Sequence, residues 1–467
     1  MGNTGGHPSE PNVYNPQKGV HGIDVPAARS GRQFVADDNA TPGNFTTSNM
    51  TLVRNLVVAC AVIAPSLAMA QNPFAQMTET RKAIVAKDTA RAFALLDSIS
   101  AVTPDHPNYI YLRAHANGMA GRMVEARSDI ERLLKWDARF ARAALRDTSV
   151  ASLRGEFTHV DSLVTLAELP VSNGLVWATL DERDLVPEGT AWDPRTRSVL
   201  IGSLNKYKIM AISSDGVVTE RVAAGAHGLR SVAGIHVDSA RGVLWATSNS
   251  RFDTPADSTP SALFAFDAAT GAFRTRFAVP GSDNPFLNDI TTGPDGTVYV
   301  TDMQGGRVWS ASPGATELRE LLELGRVLSP NGITISSDGR VLFVADVDHV
   351  RALDLNSGEA WRIAVPDNII VSGIDGLAYH RGALIAHHPL ANWRIARYSL
   401  DPERKRIIGR SLIEANTEDG RTSTTGEIAG DGYIYIGNSQ IDRMNLRTID
   451  PATMDPVRIY RVQMSRQ

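Results

Sequence analysis

A short pattern of polar and apolar positions recurs along the C-terminal part of the chain. Its clearest copy, residues 329–346, reads SPNGITISSDGRVLFVAD and has a polar opening, a short strand, a tight turn at Ser337-Asp338-Gly339 and a second apolar strand. Three further copies open on an oxygen-bearing residue, and they read PEGTAWDPRTRSVLIGS, LNDITTGPDGTVYVTD and GIDGLAYHRGALIAHH. Two more lack that residue, and they read VAGIHVDSARGVLWATS and TGEIAGDGYIYIGNS. The pattern is therefore an internal repeat.

The spacing of this repeat predicts the fold. One residue in each copy serves as its marker, and the markers are Glu188, Gly234, Asn288, Asn331, Asp375 and Gly426. Successive markers are roughly 40 to 50 residues apart, and a period of that length with several short strands is typical of propeller blades. We therefore predict a mainly β fold, a six-bladed β-propeller over residues 171–467.

The part of the chain before the repeats shows helical periodicity. Small or apolar residues recur at helical spacing at Ala114, Gly121, Ala126, Ile130 and Leu133. This stretch resembles one tetratricopeptide-type helix pair, with a weaker partner that reads TARAFALLDSIS. We predict a small α-helical, tetratricopeptide-like segment over residues 71–165. Because about three such repeats are normally needed for stability, we expect it to pack against the propeller or to bind a protein partner.

The first 70 residues are predicted to lie outside the folded domains. Residues 1–49 are rich in Gly, Pro, Asn and Ser, which indicates a disordered or misassigned extension. Residues 50–70 have the features of a secretory signal peptide, with Arg54, an apolar core and cleavage after Ala70. We expect a periplasmic or secreted protein whose signal starts at Met50. A lipoprotein anchored through Cys60 is the alternative.

The composition of the chain excludes several classes of binding partner. The net charge is only -4, and charges of both signs are scattered along the sequence. The sequence therefore has no basic stripe of the kind that binds nucleic acid. The single cysteine, Cys60, lies in the predicted signal, so a mature chain would have neither disulfides nor thiolate metal sites. The apolar run there is shorter than the roughly 20 residues of a membrane span, and no stable span is predicted. A small-molecule substrate and a protein that binds the helical segment are the partner classes that remain.

Four repeat markers carry the candidate chemistry. In a propeller the first strand of each blade lines the central channel, so residues at equal phase converge on the axis. We call the set Glu188, Asn288, Asn331 and Asp375 the oxygen ring. Two carboxylates and two amide oxygens form a hard donor set that suits a divalent metal, most of all Ca²⁺. Since Ca²⁺ takes six to eight oxygens, positions would remain for water or substrate.

The phrases PEGTAWD, LNDITTGPDG, SPNGITISSDGRVLFVAD and GIDGLAYHRGAL resemble the SMP-30/gluconolactonase/luciferin-regenerating enzyme family. The resemblance implies a calcium-dependent six-bladed propeller that hydrolyses lactones or related esters. It implies metal ligation by Glu188, Asn331 and Asp375, with Asp375 also the catalytic base, and contact of Asn288 with substrate or metal. The usual Glu-Gly-Pro reads Glu188-Gly189-Thr190 here, and the sixth copy has no histidine, which puts a phosphotriesterase assignment in doubt.

Two function classes follow from these observations. The first is a calcium-dependent hydrolase in which Asp375 activates water or attacks directly, and the sequence leaves both roles open. The second is a non-catalytic propeller that binds a small molecule or a protein. All four ring residues lie beyond the helical segment, so we expect its removal to leave metal binding intact. Among other polar residues, His387 and His388 are predicted to be an exposed pair.

Overall fold

The computed structural model describes residues 73–250, 260–281, 285–325, 327–389, 392–417, 423–445 and 449–464. The predicted extension, the signal segment from Met50 to Ala70 and Cys60 lie outside these ranges. Within them the chain forms a helical segment followed by six four-stranded antiparallel sheets. The fold class predicted from the repeat, a six-bladed β-propeller with helices in front, is confirmed.

The first three blades follow the chain in simple order, each strand pairing with the next. Blade 1 contains β2 (Pro187–Asp193), β3 (Ser198–Ser203), β4 (Ile209–Ser213) and β5 (Val218–Val222). Blade 2 contains β6 (Ile235–Asp238), β7 (Val243–Ser248), β8 (Ala262–Asp267) and β9 (Phe273–Ala278). Blade 3 contains β10 (Leu287–Thr292), β11 (Val298–Asp302), β12 (Arg307–Ala311) and β13 (Arg319–Glu320).

The last three blades include the closure of the propeller. Blade 4 contains β14 (Ile333–Ile335), β15 (Val341–Ala345), β16 (Val350–Asp354) and β17 (Ala360–Arg362). Blade 5 contains β18 (Leu377–His380), β19 (Ala383–His388), β20 (Arg394–Leu400) and β21 (Ile407–Ala415). Blade 6 contains β22 (Gly426–Ala429), β23 (Gly432–Ile436), β24 (Val457–Gln463) and, as its outer strand, β1 (Leu175–Leu180). Because β1 comes from the start of the propeller, its pairing with β24 ties the two ends of the circle together.

The inner strands define the channel. Strands β2, β6, β10, β14, β18 and β22 contact one another in a closed circle. Their apolar neighbours on the second and third strands, such as Leu200, Phe264 and Phe343, are fully buried between adjacent sheets. Burial of these side chains is the main favourable term for such sheets, since about 25 cal/mol is gained for each Å² of apolar surface removed from water. We call the end of the propeller at which the inner strands begin the ring face.

The helical segment has its own core. Its helices are α1 (Pro73–Val85), α2 (Thr89–Ser100), α3 (Pro107–Met119), α4 (Met123–Trp136), α5 (Ala138–Leu145) and α6 (Val160–Ala167). Ala114, Ala126, Ile130 and Leu133, which the sequence marks as one face, are completely buried. Gly121 instead lies in the turn between α3 and α4 with φ of +71°. Among the described residues, no helix has the length and apolar character needed to cross a membrane.

Candidate functional site

The structure places all four ring residues at the ring face. Glu188 and Asn288 are the second residues of β2 and β10, and Asn331 and Asp375 each lie two residues before an inner strand, β14 and β18. Glu188 and Asn288 are buried, whereas Asn331 and Asp375 are half-buried. The predicted equal phase in four blades therefore brings them to one opening of the channel.

A β-bulge sets the direction of these residues. The Asn331 N–H donates to the Ala345 carbonyl at 3.1 Å, and the Ala345 N–H donates to the Gly332 carbonyl at 2.8 Å, so Asn331-Gly332 faces one residue of β15. In the same way Asp375-Gly376 faces His387 of β19. Comparable shifts of register occur at Glu188-Gly189 and Asn288-Asp289. Since a bulge re-aims a side chain, this repeated feature explains why a polar, oxygen-bearing residue opens each of these four strands.

Two positions before three of the four ring residues, the backbone adopts a left-handed conformation. Val186, Ser329 and Gly373 have φ of +45°, +52° and +70°. Val186 is completely buried, and a left-handed conformation is costly for a β-branched side chain, on the order of 1–3 kcal/mol. The surrounding packing therefore holds the backbone in a strained turn just before Glu188.

The ring side chains contact their neighbours around the circle. The Asn288 amide Nδ2 donates to Asn331 Oδ1 at 2.7 Å. The Asn331 side chain in turn hydrogen bonds to the Asp375 carboxylate, and the Glu188 and Asp375 carboxylates are close enough to repel each other. The sequence-predicted set is thus one connected group of oxygens.

Burial and like charge shift the acidity of the two ring carboxyls. Burial, and then the charges of Asp375 and Asp289, hold the pKa of Glu188 well above its ordinary value. Burial raises the pKa of Asp375 to about 7, against the hydrogen bond from Asn331, which lowers it. Two carboxyls that share one opening favour a state in which one of them is protonated or both are neutralised by a cation.

Two further carboxyls in the channel were missed by the repeat analysis. Asp289 follows Asn288 directly, and Glu427 follows the marker Gly426. Burial, and then Asp375 and Glu427, raise the pKa of Asp289 to about 8, and burial raises that of Glu427 to about 7. A search for oxygen-bearing residues one step beyond each marker would have found both.

Two side chains hold the backbone of β10, the strand that carries Asn288 and Asp289. The Thr301 hydroxyl accepts from the Asp289 N–H at 3.0 Å and donates to the Asn331 carbonyl at 2.8 Å. This one side chain therefore joins blade 3 to blade 4 beside the ring. The Asn249 side chain similarly accepts from the Leu287 N–H and donates to the Leu287 carbonyl.

The donor set fits a hard cation. Glu188 Oε2 is a buried carboxylate oxygen without a hydrogen-bond partner, and such an atom is costly unless something else satisfies it. Within the described residues, no three His, Cys, Asp or Glu side chains are grouped closely enough to hold a metal ion by themselves. A cation at the ring would therefore need the amide oxygens of Asn288 and Asn331 together with the carboxylates.

The prediction that His387 and His388 form an exposed pair is wrong. Both are buried, at 0% and 1% exposure, because β19 is a second strand enclosed between its neighbours. His387 Nε2 lies 2.8 Å from the Tyr433 hydroxyl, and its Nδ1 lies 3.2 Å from the Ser423 hydroxyl. Burial lowers the pKa of His387 to about 3, so it is neutral at physiological pH.

These features define a class of protein, a six-bladed propeller with a ring of carboxylate and amide oxygens at one mouth of its channel. Residues 186–362 match the family model of the SMP-30/Gluconolactonase/LRE-like region, and the resemblance inferred from the quoted phrases is thereby confirmed. The matched residues include Glu188, Asn288 and Asn331, whereas Asp375 lies after them.

Solved structures of this type resemble the chain at low identity. A gluconolactonase from Xanthomonas campestris is 16% identical with a TM-score of 0.44, over 64% of this chain and 92% of that chain. A luciferin-regenerating enzyme is 16% identical with a TM-score of 0.44, over 63% and 95%. The calcium-binding protein regucalcin from Agrobacterium tumefaciens is 16% identical with a TM-score of 0.43, over 62% and 96%. None of the curated protein sequences matches the chain.

Proposed function

We propose that the protein is a calcium-dependent hydrolase of small lactones or esters that acts in the periplasm or outside the cell. The observation that carries this proposal is the convergence of the oxygen ring at one mouth of the channel, with the buried Glu188 Oε2 left unpartnered. The signal-like segment from Met50 to Ala70 supports export. The family match over residues 186–362 supports hydrolase chemistry of the gluconolactonase type.

In this proposal Glu188, Asn288, Asn331 and Asp375 hold the cation. When bound, Ca²⁺ polarises the substrate carbonyl and stabilises the negative charge that develops on its oxygen. The hydrogen bonds from Asn288 to Asn331 and from Asn331 to Asp375 fix the directions of the ligands, so little reorganisation is needed during the reaction.

Asp375 then has the catalytic role. It takes a proton from the attacking water, or it attacks the carbonyl carbon itself. A pKa raised by burial to about 7 is close to the working pH that suits a general base, although a bound cation beside it acts in the opposite direction. In this proposal Asn288, whose side chain donates to Asn331, also contacts the substrate.

Two assays on the full-length chain test the proposal. Purified protein is stripped with a chelator, titrated with CaCl₂ in a calorimeter, and then assayed against lactones, aryl esters and phosphotriesters with and without calcium. We expect saturable calcium binding and hydrolysis of a lactone or ester that the chelator abolishes and calcium restores. Calcium binding without hydrolysis of any substrate would favour the non-catalytic binding propeller, and a folded protein that binds no calcium would overturn the proposal.

A further inference from the structure

The helical segment lies on the ring face of the propeller. Since each inner strand runs away from that face, the second strand of every blade ends there and the outer strand ends there too. The segment contacts three loops at these ends: the Asp105 N–H donates to Asp348 Oδ2 at 3.2 Å, and Arg139 Nη1 donates to Asn416 Oδ1 at 2.8 Å. The third contact is made by Ile370.

Ile370 belongs to the propeller by sequence and to the helical segment by packing. It lies in the loop between β17 and β18, and its side chain joins the hydrophobic core of the helices with 5% exposure. Its neighbours Ile369 and Val371 point the other way and are buried in the core between blades 4 and 5. The loop is therefore clamped between two cores by alternating side chains.

The backbone of this loop is also held on the propeller side. The Tyr398 hydroxyl lies 3.0 Å from the Ile370 carbonyl, to which it donates. His388 links the same hydroxyl, at 2.9 Å, to the Ser372 carbonyl, at 3.1 Å. The Ser372 hydroxyl donates to the Val347 carbonyl at 3.1 Å.

This clamped loop ends at Asp375. Gly373, in the left-handed conformation, donates its N–H to the Val347 carbonyl at 3.2 Å, and Ile374 is buried in the blade core. Every residue between Ile370 and Asp375 is therefore held by packing or by a hydrogen bond, and only Gly373 is exposed. A shift of the Ile370 anchor would be passed along a short, constrained path to the Asp375 carboxylate.

We propose that the helical segment sets the position of Asp375 through Ile370, which acts as a positioning residue for the oxygen ring. This inference rests on the proposed calcium site. It reverses the expectation, drawn from the order of residues along the chain, that the helical segment can be removed without affecting that site. It also gives the buried His388 and Tyr398 a role in holding the loop.

The test compares two isoleucines of the same core in the full-length chain. Ile370→Ala removes the anchor, whereas Ile130→Ala removes a buried side chain of the same core that belongs to α4 and not to the loop. We expect Ile370→Ala to weaken calcium affinity by roughly tenfold, the usual scale for an outer-shell partner, and Ile130→Ala to leave it unchanged although both lower the melting temperature. Ile370→Val should restore most of the affinity.

Tyr398→Phe provides a second variant if Ile370→Ala does not fold. It removes the hydroxyl that holds the Ile370 carbonyl without opening a cavity, and we expect it also to weaken calcium affinity. Equal calcium affinity in wild type, Ile370→Ala and Tyr398→Phe would overturn the inference and leave the proposed function standing. An equal loss in Ile130→Ala would overturn it as well, since the effect would then reflect general destabilisation. A wild-type chain that binds no calcium would instead contradict the proposed function.

Discussion

Asn331 shows how much of the site depends on single residues. Its amide oxygen accepts from Asn288, and its side chain hydrogen bonds to Asp375, so it connects two other members of the ring. The sequence predicted its place, because Asn331 opens a strand at a phase shared with three other oxygen-bearing residues. The sequence did not predict the place of Asp289, because the residue next to Asn288 enters the channel only through the bulge in β10. It did not predict the burial of His387 either, because the enclosure of β19 depends on the adjacent blades.

The substitution Asn331→Ala removes one neutral oxygen and leaves both ring carboxylates. We expect calcium affinity to fall about tenfold or more, and excess calcium to restore part of the hydrolytic activity. Calorimetric titration and rates measured across a calcium series give both quantities. Asn356→Ala, in an exposed turn between β16 and β17, is the matched control and should bind calcium as the wild type does. Unchanged affinity in Asn331→Ala would remove this residue from the ligand set.

The substitution Asp375→Asn keeps an oxygen for the cation but removes the negative charge and the base. If Asp375 has both roles, the rate loss should persist at saturating calcium and be on the order of a hundredfold or more, the usual scale for a lost general base. Asp367→Asn, exposed in the same loop, should retain wild-type rates. Full rescue of Asp375→Asn by calcium would reduce that residue to a ligand.

At the level of elements, the sequence predicted the inner strands best. Their phrases repeat because β2, β10, β14 and β18 begin with the same bulge and all six inner strands face the same channel. The outer strands are poorly marked, since β13 consists of only Arg319 and Glu320 and both are exposed. The glycine that follows Asn331 in the repeated phrase is required for a physical reason. A Cβ on Gly332 would lie 2.7 Å from the Leu377 Cβ and backbone nitrogen, so only glycine allows β14 and β18 to approach this closely.

We therefore expect Gly332→Ala to push β14 away from β18 and to disturb Asn331 and Asp375 together. Overpacking of this kind typically costs about 1–3 kcal/mol of unfolding free energy, and calcium affinity should fall as well. Gly409→Ala on the outer strand β21 is the control, because a Cβ there meets nothing within 4 Å. Denaturant unfolding and calorimetry measure the two effects. A Gly332→Ala protein with normal stability and normal calcium affinity would contradict the close-approach argument.

At the level of the whole molecule, the sequence could not predict where the helical segment lies. The contact through Ile370 joins two parts of the chain that are far apart in sequence, and no local pattern distinguishes Ile370 from Ile369. The buried carboxyl groups of the channel also depend on the whole fold, because burial shifts all their pKa values in the same direction. The pKa of Asp289 is raised to about 8, and those of Asp375 and Glu427 to about 7, mainly by burial.

These groups give the calcium-free protein a defined pH dependence. A carboxyl with a raised pKa binds more protons in the folded state, so its contribution to stability falls as the pH rises toward and through the folded pKa. Buried histidines act in the opposite sense: His106 and His236, with pKa values lowered to about 4 by burial, bind fewer protons when folded, so stability rises with pH until the unfolded histidines are neutral. Above about pH 7 the histidine effect is complete and the carboxyl effect remains.

We therefore expect the melting temperature of chelator-treated protein to fall between about pH 7 and pH 9. Glu427→Gln should flatten this fall, because it removes one titrating carboxyl that is not among the proposed ligands. Differential scanning calorimetry across this range measures both slopes. A melting temperature that rises from pH 7 to pH 9, or a Glu427→Gln profile identical to that of the wild type, would contradict the assignment of raised carboxyl pKa values to the channel.

The position of a bound cation is the most direct test of the oxygen ring. Crystals of the chain grown in CaCl₂ and measured at long wavelength would locate calcium by its anomalous signal. We predict one peak at the ring face, about 2.3–2.6 Å from oxygens of Glu188, Asn288, Asn331 and Asp375. Well-diffracting crystals with no peak at these oxygens, or with calcium bound only elsewhere, would contradict the assignment.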